Sequence, residues 1–208
     1  MTEPTPERVE GVLVALPLKP FAAAKGRLDG LLGPVARASL ARATAERVTA
    51  ACRQAVDLTA GVTGDPGVAR WAEGLGLEVI AEPAGGGLNG AAAAAAAEAE
   101  RRGLAWCIVH ADLPLLTPAG VAAVAGAAGA GRAALAPSRD GGTNLFAAAC
   151  RLDFDYGPRS FARHLEAAGS LQVRVVVTVG TSLDLDTPED LREAANLPGG
   201  TWLRAYLT

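Results

Sequence analysis

Short apolar runs, each stopped by Pro, Gly or Asp, alternate along this chain with longer stretches of helix-forming residues. Val9–Leu16 is the first β-type run and stops at Pro17. Pro34 opens a helical stretch to Arg53, Val56–Thr63 reads as a second strand, and Gly64-Asp65-Pro66 closes it. Gly67–Leu75 predicts a short helix and Leu77–Ala81 a third strand. Gly85-Gly86-Gly87-Leu88-Asn89 is a glycine-rich turn into Ala91–Arg102, a helix made mostly of the best helix former. Leu104–Ala111 is a buried strand ending on Asp112, and Thr117-Pro118 caps and opens the next helix. Arg132–Ala136 and Asn144–Cys150 predict two strands around the loop Ser138–Thr143. Pro158–Ala168 reads as a helix, Gln172–Val179 as a strand, and Thr187-Pro188-Glu189-Asp190 as the capped start of a last helix.

Strands alternating with helices of this length predict an α/β fold, a mostly parallel sheet with helices on both faces. No repeat and no dividing linker interrupts the pattern. The expected organisation is one domain over residues 9–196, a flexible start over 1–8 and a tail over 197–208 that could dock or be loose. With 208 residues, 50% of them hydrophobic, the chain can bury a full core, and 4% aromatics means Ala, Val and Leu must build it. A net charge of −3 without any basic stripe argues against nucleic acid or anionic membranes as partners. Cys52, Cys107 and Cys150 read as three buried free thiols in a reducing compartment. The polar start carries no signal segment, and the alanine-rich run ends in Glu98, Glu100, Arg101 and Arg102 before it could span a bilayer. A soluble, cytoplasmic protein is the expectation.

In open α/β sheets ligands gather at the carboxyl ends of the strands, and several polar motifs fall there. The loop after the first strand holds Lys19, Lys25 and Arg27, which can wrap a polyphosphate or simply be solvated; it lacks Walker A spacing. Bare backbone at Gly85-Gly86-Gly87 can approach a nucleotide, with Asn89 reaching a base or ribose edge, or it is an ordinary turn. Asp112, after an apolar strand and before Leu113-Pro114, is placed to hold Mg²⁺ against phosphate oxygens; the alternative is a turn cap. His110 reads as a structural strand residue. Alternation in Leu183-Asp184-Leu185-Asp186 points both carboxylates to one side, where they repel unless a cation lies beside them. A helix cap accounts for Thr187 and for Asp186, but not for Asp184. Thr143, the Gly157 backbone and Ser160 at a helix start make an oxyanion cradle, to which Arg159 and Arg163 can add charge, or two turns and a cap.

Taken in order, Pro17-Leu18-Lys19, Ala24-Lys25-Gly26-Arg27-Leu28, Gly87-Leu88-Asn89, Asp112-Leu113-Pro114-Leu115, Gly142-Thr143, Gly157-Pro158-Arg159-Ser160 with Ala162-Arg163-His164, and Asp184-Leu185-Asp186-Thr187-Pro188 resemble one family. It is the 2-phospho-L-lactate/phosphoenolpyruvate guanylyltransferases of deazaflavin coenzyme F(420) biosynthesis, within the molybdopterin-guanylyltransferase-like nucleotidyltransferases. The resemblance spans residues 9–195. It implies a single-domain, Rossmann-like three-layer sandwich of the nucleotide-diphospho-sugar-transferase type. It also implies transfer of GMP from GTP to the phosphate of phosphoenolpyruvate or 2-phospho-L-lactate, with release of pyrophosphate. By the same resemblance, Asp112, Asp184 and Asp186 hold two Mg²⁺ ions, and Thr143, Gly157 and Ser160 bind the phospho-acid. Leu16, Lys19, Lys25, Gly87 and Asn89 lie on the nucleotide side, and Lys25, Arg27 and Asp112 take the catalytic roles. A homodimer and hand-off of a labile product to a downstream transferase fit the same picture. One departure stands out: Gly85-Gly86-Gly87 replaces the acidic residues of the family pattern before Leu-Asn, which bears on base selectivity.

Three rival readings remain open on the residues. A nucleotidyltransferase using another acceptor is one. 3-Phosphoglycerate differs from the two phospho-acids by few atoms and stays open, whereas enzymes for a sugar phosphate or molybdopterin usually show a Gly-rich Arg-Met-Gly loop after the first strand, which is absent. A glycosyltransferase using Asp184-Leu185-Asp186 would have little chain left for an acceptor domain. A catalytically silent nucleotide-binding protein would have no need to retain all three aspartates.

Overall fold

A computed structural model describes residues 8–207. The expected flexible start, residues 1–8, lies outside the described residues except for Arg8. That residue pairs with Asp57 at 2.9 Å. The strands are β1 (Val9–Pro17), β2 (Val56–Thr63), β3 (Glu78–Ala81), β4 (Ala105–Val109), β5 (Arg132–Pro137), β6 (Thr143–Ala148) and β7 (Gln172–Val175). They form one seven-stranded sheet in the order β3-β2-β1-β4-β6-β5-β7. All neighbours run parallel except β6, which is antiparallel to both β4 and β5. The expected mostly parallel α/β sheet is therefore a mixed sheet with one reversed strand. The reversal matters, because it brings the first residue of β6, Thr143, to the end of the sheet where the parallel strands finish.

The helices are α1 (Pro34–Ala55), α2 (Pro66–Gly74), α3 (Gly87–Arg101), α4 (Pro118–Ala125), α5 (Ser160–Ala168), α6 (Val179–Ser182) and α7 (Pro188–Asn196). Central strand β1 is buried on both faces, which is why its sequence reads as a continuous apolar run. Val12, Val14 and Leu16 point into the layer shared with α1, α2 and α4, while Leu13 and Ala15 point into the layer of α3. In α3, Ala91, Ala92, Ala95, Ala96 and Ala99 form the buried stripe. Methyl groups alone let that helix lie close on the sheet, and Trp106 and Phe146, edge to face at 5.0 Å, supply bulk on the same layer.

A third cluster, with Leu28, Leu115, Leu183, Leu185, Leu191 and Leu203 buried, sits beneath the cleft end of the sheet. It seats the tail, whose 3-10 turn Thr201–Tyr206 docks. Arg204 donates to the Ala195 carbonyl at 3.2 Å, and the Tyr206 hydroxyl meets Ser39 at 3.1 Å.

Four local readings are corrected. The predicted strand Gln172–Val179 ends at Val175, because Thr178 and Thr181 form a reciprocal capping box that starts α6. The run Asn144–Cys150 stops at Ala148, which leaves Cys150 exposed on a bend beyond the strand; Cys52 and Cys107 are buried. His110 lies one residue past β4, not within it. Helix α3 begins at Gly87, earlier than Ala91, so the glycine turn feeds straight into its first turn. No helix among the described residues is long and apolar enough to cross a membrane.

Candidate active site

A cleft of about 450 Å³ opens at the carboxyl ends of β1 and β4 and the amino end of β6. Lys19, Lys25, Asp112, Thr143, Ser160 and Asp184 are among its lining residues, with Gly157 and Asp186. Of the candidate residues, Leu16, Arg27, Gly87 and Asn89 are not on the lining. Leu16 is fully buried in β1, so only its position at the strand's end, not its side chain, can serve a ligand.

One wall is carboxylate. Leu183 and Leu185 are buried in the third cluster, which turns Asp184 and Asp186 outward together, as alternation requires. The Leu185 N–H donates to the Asp112 carbonyl at 3.1 Å, and this tie brings the two aspartate segments side by side. Carboxylate oxygens of Asp112, Asp184 and Asp186 consequently lie within 4.8 Å of one another. Capping is done by other residues. Thr117 accepts from Gly120 N–H at the start of α4, and Thr187 with Asp190 caps α7 reciprocally. The turn-cap readings of Asp112 and Asp186 therefore fall away.

Lys25 enters this wall from the first loop. Its side chain is only 6% exposed, and its ammonium lies 3.1 Å from Asp112 Oδ2 and 3.8 Å from Asp186 Oδ1. The residue adopts a left-handed backbone, φ 59°, uncommon for a side chain of this size. Arg27 reaches Asp186 at 3.3 Å from the solvent side. Among the described residues, Asp184 has no cationic side chain within ion-pair distance. Burial, with Asp112 and Asp186 facing it, pushes its pKa up to about 7. Burial also pushes the Asp112 carboxyl up, but Lys25 and His110 outweigh it and hold the group below its ordinary value. Asp112 Oδ1 is buried without a hydrogen-bond partner. Three clustered carboxylates, one orphaned oxygen and one unpaired aspartate fit a hard divalent cation that takes oxygen ligands.

The opposite wall is neutral. Thr143 and Ser160, each about 1% exposed, place hydroxyls at the cleft floor, and the Ser160 hydroxyl donates to Thr143 Oγ1 at 3.4 Å. His164, fully buried in α5, contacts the same threonine oxygen through Nδ1 at 2.9 Å. Burial, followed by the neighbouring Arg163, lowers the His164 pKa to about 4, so the ring is neutral at physiological pH. Helix amides contribute less than the expected oxyanion cradle requires. Ser160 N–H is spent on the Gly157 carbonyl and Phe161 N–H on the Gly141 carbonyl, at 3.1 Å each. The hydroxyls therefore carry this wall.

Two polar residues turn out to hold the chain and not to face the cleft. Asn89 Oδ1 accepts from the Tyr156 N–H at 2.7 Å, tethering the Tyr156–Gly157 segment to α3. Arg163 donates to the Pro158 and Asp155 carbonyls at 2.6 and 2.9 Å and pairs with the Asp155 carboxylate. Asp140, Asn144, Tyr156 and His110 also line the cleft, roles that the sequence did not assign. Their only signal was position: each adjoins a motif residue, or a strand end, at the ligand-binding edge.

A family model described as guanylyl transferase CofC like matches residues 12–208. A phosphoenolpyruvate guanylyltransferase of Rubrobacter xylanophilus is 39% identical over 192 residues, covering 86% of this chain and 91% of that protein. A 2-phospho-L-lactate guanylyltransferase of Methanothermobacter thermautotrophicus is 33% identical over 199 residues, 92% of this chain and 87% of that protein. Among solved structures, a provisional nucleotide-diphospho-sugar transferase from Desulfovibrio desulfuricans superimposes with a TM-score of 0.70 at 16% identity, covering 95% of both chains. A nucleotidyl transferase from Methanothermobacter superimposes with a TM-score of 0.59 at 15% identity, over 93% of this chain and 98% of that one. At such identities these two structures speak for the fold alone.

Proposed function

The chain belongs to the CofC-like guanylyl transferases, and on that premise we propose that it moves GMP from GTP onto the phosphate of a small phospho-carboxylic acid, phosphoenolpyruvate or 2-phospho-L-lactate. The observation that carries the reading is the pairing of walls: three aspartates and a lysine on one side of the cleft, two hydroxyls on the other. That arrangement suits two phosphate-bearing substrates entering from different sides.

In the reaction an oxygen of the acceptor's phosphate forms a bond to the α-phosphorus of GTP, and the bond from that phosphorus to the departing pyrophosphate breaks. No protein nucleophile is required; holding two polyanions in line and neutralising their charge suffices. Mg²⁺, held by Asp112, Asp184 and Asp186, would supply that neutralisation when bound. Lys25 sits beside the carboxylates and places a point charge where the triphosphate would lie at the end of β1. Arg27, tethered to Asp186 but largely in solvent, extends the positive edge. Thr143 and Ser160 orient the acceptor's phosphate, beside the Gly157 backbone, whose φ of 130° is a conformation that side chains rarely adopt. The phosphoanhydride product is reactive, so direct transfer to a downstream enzyme belongs to the same reading. A homodimer remains part of it as well.

The test is incubation with GTP and Mg²⁺ and each acid in turn, scored for pyrophosphate and a GMP adduct, with the other nucleotides as parallel arms. Pyrophosphate release that requires one phospho-acid and GTP supports the reading. Release that ignores the acid, or none with any acid, contradicts it.

A further inference from the structure

We propose that His164 is a positioning residue for acceptor binding: it fixes Thr143 as a hydrogen-bond donor to the acceptor's phosphate. The inference rests on the reading above in which Thr143 contacts that phosphate.

The argument starts from a proton count on the ring. The backbone N–H of Asp155 donates to His164 Nε2 at 3.1 Å. An amide N–H can only donate, so Nε2 holds a lone pair and the ring's single proton is on Nδ1. Nδ1 therefore donates to Thr143 Oγ1, 2.9 Å away. That threonine oxygen accepts from the ring and, through a longer contact at 3.4 Å, from Ser160. Its own proton cannot go to Nδ1, which already bears one. Thr143 lines the cleft, and its hydroxyl proton is left for a ligand there. A phosphate oxygen has only lone pairs, so a donor is what the site needs.

The same ring ties this donor to the loop around it. Asp155, which fixes the tautomer, precedes Tyr156 and Gly157. That segment is also anchored by Asn89 and by Arg163. Rings of Phe146 and Tyr156 pack on the imidazole at 4.8 and 4.6 Å, so it cannot turn over freely. The Asp155 carboxylate favours a second proton on the ring, but it is paired with Arg163, and burial together with Arg163 outweighs it. The helix motif Ala162-Arg163-His164 thereby acquires, for its last residue, a role in addition to its packing against these rings.

Two substitutions divide the ring's functions. The amide nitrogen of Asn stands as many bonds from Cβ as Nδ1 does, and the amide oxygen of Gln as many as Nε2. His164→Asn therefore keeps a donor to Thr143 and loses the Asp155 acceptor, while His164→Gln does the reverse. The expected result is an acceptor KM raised about fivefold in His164→Gln, the size of one lost hydrogen bond. His164→Asn should stay within about twofold of wild type, and GTP KM should be unchanged in both. A residue acting through packing alone would shift both variants alike, in step with their melting temperatures, and that result overturns the proposal. Thr143→Ala in the same series separates the two levels of the argument. If its acceptor KM is unchanged, the acceptor reading itself fails. If it rises while His164→Gln stays at wild type, only the role of His164 fails. Nitrogen-15 imidazole shifts of the wild-type protein provide a check free of any variant: an Nδ1–H tautomer is expected, and an Nε2–H tautomer overturns the proposal.

Discussion

Across the cleft, the carboxylate wall and the hydroxyl wall satisfy their polar groups in opposite ways. Asp112, Asp184 and Asp186 crowd three like charges against a single buried lysine, with one oxygen of Asp112 unpartnered. Thr143, Ser160 and His164 are neutral, nearly fully buried and bonded to one another and to the backbone. The first wall gathers more carboxylates than its one buried lysine can balance, and the second is already organised. A site that must gather a metal and a triphosphate gains from the former. One that must orient a small anion gains from the latter.

The contrast predicts unequal consequences when each wall is damaged. Changing Asp112, Asp184 or Asp186 to Asn should lower turnover at least about a hundredfold, on the order of 2.7 kcal/mol, with the fold intact. Chelation by EDTA should do the same to the wild type, and full activity in Asp184→Asn would dissolve the wall as a unit. Next in size, Lys25→Ala should lower kcat at least about tenfold, roughly 1.4 kcal/mol, because charge on the phosphates grows as pyrophosphate departs. An unchanged kcat would reduce Lys25 to a counter-ion of Asp112.

Smaller effects belong to the neutral wall. Thr143→Ala or Ser160→Ala should raise the acceptor KM about fivefold, about 1 kcal/mol, and leave the GTP KM alone; the reverse ranking would exchange the two walls' substrates. Smallest should be Asn89→Ala, which releases the Tyr156 tether and lowers the melting temperature by about 2–4 °C with little change in either KM. A several-fold rise in GTP KM would instead return Asn89 to the nucleotide, as its place in the sequence motif implied.

The charged wall was the legible one. Asp112 announces itself by following an apolar strand, and Asp184 and Asp186 by alternating with two leucines whose burial is a local matter. Strand and helix order followed from the same punctuation. What escaped the sequence depends on contacts distant along the chain. Asn89 is polar and near a glycine turn, but that its oxygen is spent on Tyr156, 67 residues on, is a tertiary fact. His164 reads as one more residue of a capped helix, since its tautomer is set by the backbone of Asp155 and its consequence lies on β6. The short helix α6 was hidden because its β-branched residues continue a strand-like run. Even the arrival of Thr143 at the cleft needed the reversal of β6, which uniform apolar strands do not disclose.

The most direct test of the claim that the carboxylate wall is built for a cation is a thermal melt of wild type and Asp184→Asn at pH 8, with and without Mg²⁺. Removing one of three crowded charges should relieve repulsion, so the metal-free variant should melt higher than metal-free wild type, by roughly 2–4 °C for each kcal/mol gained. Mg²⁺ should raise the wild-type melting temperature and have much less effect on the variant. A metal-free Asp184→Asn that melts lower than wild type, or one that gains as much from Mg²⁺, would contradict the account.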